Sequence, residues 1–356
     1  MSCLASTLVS CPTLQDDLKN YFNTCDAPMI REPFPFAEFL ANEVNTRGLS
    51  QKIAPGGGKK RSVELTYTAR LNESEVVEND TDLCSCTNEA GNCSQVYDID
   101  PDANLSTCEK IQEVNLRDIC MPNSQYVLER IAYRMDVLER RIATELTQQA
   151  SFLAGEWNMT EGLNVNASSQ LVVKTKKDGD TFVLNPYTMQ DIDFATRASG
   201  YCGNKVIFAG SELYKYYWAM KQGCCADSGI DLSGMLNEFG TVVLYDPRVA
   251  DYFTGGNNVG VVTQAGSMAL LTWNQFGWDA SMPLPFREGA NYSRTMLVTP
   301  RLNIPIDVIV KDECPGVLTM TFSAVVKLVN LPSDIFPVGD KYRGVNFFNE
   351  ILVTNV

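Results

Sequence analysis

The fold turns on SQYVLERIAYRMDVLERRIATELTQQASFLA, residues 124–154. Leu128, Ile131, Met135, Leu138, Ile142 and Leu146 recur at steps of three and four, which draws one apolar stripe along a helix. Glu129, Arg130, Arg134, Asp136, Glu139, Arg140, Arg141 and Glu145 fill the remaining positions and read as its polar side. Pro122 and Asn123-Ser124 supply a start signal, and Gly155 a stop. At 1.5 Å per residue the helix spans about 45 Å, long for a globular domain. The stripe is single and too short for sustained heptads, so it predicts packing onto a sheet instead of a coiled-coil seam.

Working outward, the pattern is mixed. Pro12–Phe22 and EPFPFAEFLANEV predict short helices in an N-terminal arm. Pro55-Gly56-Gly57-Gly58-Lys59-Lys60-Arg61 is a flexible basic tip. Behind it Val63, Leu65, Tyr67 and Ala69 alternate with Ser62, Glu64, Thr66, Thr68 and Arg70, which predicts a strand. An acidic, Asn-rich stretch then reads as a loop. Beyond the helix, Leu171–Lys176 and Thr181–Leu184 predict a hairpin around Asp178-Gly179. Met189–Ala198 reads as a helix, Lys205–Ala209 as a buried strand and Gly210-Ser211 as the cap of the next helix. Thr241–Tyr245 is another strand, Asp246-Pro247 opens a short helix, and Thr295–Val298, Ile306–Val310 and Val317–Leu331 close the chain as strands. The expected class is α+β.

Composition bounds the function. The chain has 356 residues, 45% of them hydrophobic, enough for a large core. Lys and Arg number 29 against 43 Asp and Glu, a net charge of −14. A protein that grips nucleic acid through its phosphates needs a basic face, and this balance argues against one. There is no histidine at all. That excludes Ser-His-Asp and Cys-His catalysis, His-ligated metal centres and a histidine proton switch. No apolar run is long enough to cross a bilayer, and MSCLASTLVSCPTL makes a poor signal peptide, so a cytoplasmic origin is expected.

Three local constellations carry chemistry. Twelve cysteines are present, five of them at Cys84, Cys86, Cys93, Cys108 and Cys120. The readings are disulfides among these five, a four-thiolate zinc site lacking the usual C-x₂-C pairs, or reduced, packed thiols. DIDPDANLSTCE places Asp98, Asp100, Asp102, Asn104, Ser106 and Glu109 at calcium-loop spacing, although Ala103 replaces the turn glycine. The bland reading is a solvated acidic loop. The glycine run fails the phosphate-loop spacing and precedes a strand where a phosphate loop precedes a helix. Seven Asn-x-Ser/Thr sequons, at Asn72, Asn79, Asn92, Asn104, Asn158, Asn166 and Asn291, reflect richness in those residues.

This order of elements resembles the major capsid proteins of tailed bacteriophages, with the Hong Kong-phage-type capsid fold. NKVIFAGSELYKYYWAMKQG looks like that family's axial strand and helix, and TVVLYDPRVADYF like its next strand and turn. The resemblance implies an N-terminal arm at 1–47 and an extended β-hairpin loop with a cysteine-rich insert at 48–120. It implies a spine helix and the first part of a peripheral β-sheet domain at 121–185, a central α/β axial domain at 186–290, and return strands at 291–356. The insert is larger than the usual extended loop. The implied function is a non-enzymatic head protein that forms hexamers and pentamers of an icosahedral shell around double-stranded DNA. The implied location is the virion, with assembly in a host cytoplasm. Implied partners are neighbouring subunits, scaffold, portal and decoration proteins, and packaged DNA held without sequence specificity, with no membrane. Lys59, Lys60, Arg61, Val63, Leu65 and Tyr67 are the expected assembly residues. The competing reading is a secreted, disulfide-stapled, calcium-binding adhesion domain. An enzyme of carboxylate or thiolate chemistry lacks any paired motif.

Overall fold

The structure is a computed structural model that describes residues 33–42, 50–54, 61–68, 92–99, 104–112, 123–155, 157, 164–179, 181–183, 187–201, 205–221, 241–264, 268–273, 292–314, 317–330 and 348–355. The expected helix at 12–22 and the basic tip at 55–60 lie outside them. The elements are helix α1 (Pro35–Asn42) and strands β1 (Ser50–Ala54), β2 (Arg61–Thr68), β3 (Asn92–Ile99) and β4 (Leu105–Gln112). Then come α2 (Asn123–Ser151), β5 (Leu171–Asp178), β6 (Thr181–Val183), α3 (Tyr187–Ala198), β7 (Lys205–Ala209), α4 (Ser211–Lys221), β8 (Thr241–Tyr245) and α5 (Pro247–Tyr252). Strands β9 (Val259–Thr263), β10 (Met268–Trp273), β11 (Tyr292–Val298), β12 (Pro305–Cys314), β13 (Val317–Asn330) and β14 (Phe348–Asn355) complete it. The class is α+β, as the sequence pattern requires.

Three sheets organise these strands. β1, β2 and β3 form an antiparallel ribbon of their own. A five-stranded antiparallel sheet runs β10-β13-β12-β11, with β4 sharing the β13 edge with β10. A six-stranded mixed sheet runs β6-β5-β14-β9-β7-β8, in which β14 pairs parallel with β5 and β7 parallel with β8. The stretch 186–290 therefore does not make this sheet alone. It takes β5, β6 and β14 from outside, and it sends β10 to the five-stranded sheet.

The long helix packs where the stripe says it must. Ile131, Met135, Leu138, Ile142 and Leu146 are buried, joined by Val127, Ala132, Ala143 and Ala150. They share a core with Phe322, Val326 and Leu328 of β13 and with Phe208, Val259 and Val261 of the six-stranded sheet. Each large side chain so buried contributes about 1.5–3 kcal/mol. The opposite face of the six-stranded sheet builds a second core. Leu171, Val173, Ile207, Val262, Ile351 and Val353 pack there on Met189 and Ile192 of α3 and on Leu213, Tyr216 and Met220 of α4. A sheet covered on both faces reads as continuous apolar runs, which is why β7 and β9 carry no polar alternation.

Two expectations need correction. The stretch 92–112 reads as an acidic loop in sequence, but it supplies strands β3 and β4. Asp136 and Glu139 read as solvent-facing, but they are 4% and 0% exposed. For the strands and for Glu139 partners distant in sequence supply what the local pattern lacks, whereas Asp136 pairs with Arg140 one turn on.

Candidate assembly interface

Helix α1 shows how the N-terminal segment is held. Phe34, Phe36, Ala37 and Leu40 are fully buried. The Phe36 amide donates to Asp246 Oδ2 at 2.9 Å, and Arg248 Nη1 donates to the Pro33 carbonyl at 3.2 Å. The Phe34 ring carries the Arg301 guanidinium 3.6 Å from its centroid and that of Arg248 at 5.3 Å. Arg301 Nη2 also donates to Glu38 Oε1 at 2.9 Å. Cations over an aromatic face, with their stems packed on apolar surface, fix the segment from both sides. Asp246 is set for this task as the N-cap of α5, where its Oδ1 accepts from the Arg248 amide at 3.0 Å.

Two buried carboxylates tie α2 to its surroundings. Glu109 of β4, 1% exposed, accepts from Arg130 Nε at 2.6 Å and is bridged by Arg134 as well. Glu139 Oε1 accepts from the amides of Arg301 (2.9 Å) and Leu302 (3.2 Å) in the turn between β11 and β12. Burial pushes the Glu139 carboxyl above its ordinary range, against the downward pull of those two amides. Its Oε2 is buried and has no hydrogen-bond partner. Elsewhere Tyr201 donates to Asn349 Oδ1 at 2.6 Å, and burial pushes that phenol well above its ordinary range.

The expected site residues fall out as follows. Arg61, Val63, Leu65 and Tyr67 lie on β2, the central strand of the ribbon, so its backbone is paired on both sides. Among the described residues no further strand pairs with the outer edges of β1 and β3. Lys59 and Lys60 lie outside the described residues. So do Asp100 and Asp102. Asp98 sits on β3, and Asn104 is exposed just before β4. Ser106 is exposed on β4, whereas Glu109 points into the body. Residues three apart on a strand face opposite sides, and Glu109 is already neutralised by two guanidiniums, so these two do not converge on one cation. Among the described residues no group of three acidic or sulfur ligands is assembled. Cys108 is exposed and carries a free thiol. Cys84, Cys86, Cys120 and the Cys93 side chain lie outside the description. No helix among the described residues is long and apolar enough to cross a membrane.

Other surfaces were not legible in the sequence. The outer face of α2 exposes Val137 (43%), and Phe152 (79%) is exposed just past its C-terminal end. Beside Val137 opens a cleft of about 430 Å³ lined by Arg140, Arg141 and Thr144 of α2 and by Arg248, Asp251 and Tyr252 of α5. At the outer edge of the six-stranded sheet, Tyr245 of β8 and Trp218 of α4 are exposed on the α4 side, and Val242 and Leu244 of β8 on the opposite face. Tyr214 bridges this patch, with ring centroids 5.6 Å from Tyr245 and 6.3 Å from Trp218. Apolar residues grouped at a sheet edge mark contact surfaces.

No family model matches the chain, and no curated protein matches it in sequence. Solved structures do align with it. The mature capsid of bacteriophage PhiM1 aligns at 9% identity over 94% of this chain and 90% of that one, with a TM-score of 0.40. The capsid of cyanophage P-SCSP1u aligns at 10% identity over 95% and 94%, with a TM-score of 0.41. The capsid of Ralstonia phage GP4 aligns at 8% identity over 84% and 83%, also at 0.41. These are likenesses of low identity and low score.

Proposed function

We propose that the chain is a shell subunit, the major capsid protein of a tailed phage, which assembles into hexamers and pentamers around double-stranded DNA. Its work is interface formation. The observation that carries this reading is the ribbon β1–β3. Among the described residues it pairs only within itself and joins neither of the other sheets. An isolated ribbon of a few strands is marginal in water unless one face is covered. Val63, Leu65 and Tyr67 stand at alternate positions of β2 and so share one face of the ribbon. The 29-residue α2 then acts as the rigid member that carries the geometry between the ribbon's side of the molecule and the six-stranded sheet. On this reading 1–47 is the arm, 48–120 the extended loop, 121–185 and 291–356 the peripheral part, and 186–290 the core of the axial part. Scaffold, portal and decoration proteins are further partners, and the net charge of −14 leaves packaged DNA mobile against the shell.

The calcium-binding adhesion reading is weaker. Glu109 is engaged by Arg130 and Arg134, and Cys108 is a free thiol. Sedimentation velocity of the purified full-length chain over rising concentration, with and without a crowding polymer, tests the shell reading. Large discrete species are expected. A single monomer boundary under every condition would overturn it.

A further inference from the structure

In a chain of net charge −14, Arg130, Arg134, Arg140 and Arg141 all stand on α2. Their surroundings differ. Arg130 and Arg134 share the buried Glu109. Further along, Arg140 and Arg141 open onto the cleft between α2 and α5, where Arg248 joins them. Arg140 Nη2 reaches Asp136 at 2.9 Å, but its Nε is buried and has no hydrogen-bond partner. Arg141 is 59% exposed and meets Glu145 only at a loose 3.8 Å. Arg248, 5% exposed, enters from α5 and donates to the Pro33 carbonyl at 3.2 Å. Among the described residues Asp251 is the one carboxylate in the lining, and Thr144 and Tyr252 bring hydroxyls.

This lining suits a compact anion. Guanidinium nitrogens are donors only and keep their charge at any ordinary pH, so their ligand must bring acceptor oxygens and negative charge. Buried donors are nearly always paired, and leaving a charged one unpaired costs more than leaving a neutral one. The Arg140 Nε therefore favours an oxyanion in the cleft. A carboxylate offers two oxygens in one plane, which a single guanidinium fork can match. A phosphate offers three or more oxygens around a tetrahedral centre, which suits guanidiniums that arrive from two helices. The volume, about 430 Å³, is that of a small-ligand site.

We propose that this cleft is a phosphate-binding site, with Arg140, Arg141 and Arg248 as its cationic ligands and Asp251 as the group that limits its affinity. Free phosphate and the phosphodiester of duplex DNA share this chemistry. One cleft in so acidic a chain is a single point of hold, not the basic face of a nucleic-acid-binding protein. The site lies within one chain, so the proposal goes beyond the shell reading and does not depend on it. Because Arg248 also packs over Phe34, an occupied cleft braces α5 on α2 and with it the N-terminal segment.

Isothermal titration calorimetry of inorganic phosphate and pyrophosphate into the full-length protein, at constant ionic strength, tests the site. Fluorescence anisotropy of a labelled short DNA duplex is the second arm. Wild type should bind phosphate saturably, and its Tm should rise in phosphate but not in chloride of the same ionic strength. Arg141→Gln should weaken binding about tenfold, with far-UV circular dichroism unchanged. Asp251→Asn should tighten it about threefold, a gain that a merely structural role would not produce. Arg197→Gln removes an equally exposed cation on α3, across the six-stranded sheet, and should leave binding unchanged. Duplex binding that phosphate displaces and Arg141→Gln abolishes would identify the phosphodiester as the source. Phosphate binding that the duplex does not contest would identify the free ion. Absence of saturable binding by wild type would overturn the proposal, as would equal losses in Arg141→Gln and Arg197→Gln. So would a polyglutamate peptide that displaces phosphate at equal charge, which would make the cleft a carboxylate dock. A chain that binds phosphate yet never assembles would leave this site standing and sink the shell reading alone.

Discussion

Leu138 and Val137 are adjacent on α2, yet one is 2% exposed and the other 43%. Truncating each to alanine separates core from surface on a single turn. Leu138→Ala deletes three carbons from the core shared by α2, β13 and the six-stranded sheet. At about 0.8 kcal/mol per buried carbon, the transfer loss is about 2.4 kcal/mol. A residual void of about 50 Å³ adds about 1.2 kcal/mol at 24 cal/mol per Å³. The sum, about 3.6 kcal/mol, lowers Tm by about 7 °C if the chain responds like a large single domain. Val137→Ala removes carbons already near water and should stay within about 0.5 kcal/mol of wild type. Differential scanning calorimetry of both variants, with far-UV circular dichroism to confirm the helix, measures the contrast. Equal losses, or a Leu138→Ala protein within about 0.5 kcal/mol of wild type, would mean that α2 does not bury the face assigned to it.

Other outcomes follow from the same geometry. Glu109→Gln should cost about 1–3 kcal/mol by urea denaturation, since it weakens two charge-assisted bonds whose arginines remain near enough to solvent to hydrate; no loss would show that the clamp between β4 and α2 is dispensable. Glu139 holds its proton in the folded state at pH values where the unfolded chain, titrating near 4.5, has already lost it. Its contribution to stability is therefore present below about 4.5 and drains away as pH rises through the raised folded value. The stability of wild type relative to Glu139→Gln should fall from pH 4.5 to 7.5, and a difference that rises with pH would contradict the burial argument. Cys108 should react with iodoacetamide in the native, non-reduced protein, and peptide mass spectrometry should find it alkylated; recovery of Cys108 only in a disulfide would refute the free thiol.

Much of the fold was readable where local signals suffice. The stripe from Ile131 to Leu146 specified α2 and its partner sheet, and Asp178-Gly179, with Gly179 at φ 59°, specified the β5–β6 hairpin. Lys205–Ala209 and Thr241–Tyr245 were plain as strands from their apolar, β-branched runs. What escaped was non-local. Strand β4 reads LSTCEKIQ and has little apolar content of its own; β13 and the arginines of α2 hold it in place. Strand β14 pairs with β5 across some 180 residues, which no window can show. Glu139 looks like a surface acid until the turn at Arg301 and Leu302 presents two amides to it. The candidate site was the least legible part. Val63, Leu65 and Tyr67 were placed on the right strand, but that strand is central in its ribbon, and the arginine cleft draws on two helices more than a hundred residues apart.

The central claim, that this chain builds a closed shell, is tested most directly by electron microscopy of the purified full-length protein under assembly-promoting conditions. Closed particles, tubes or rings are expected, with averages that show five- and six-fold arrangements of one subunit. Uniform small monomers in every field, at all concentrations and with crowding agents present, would contradict it.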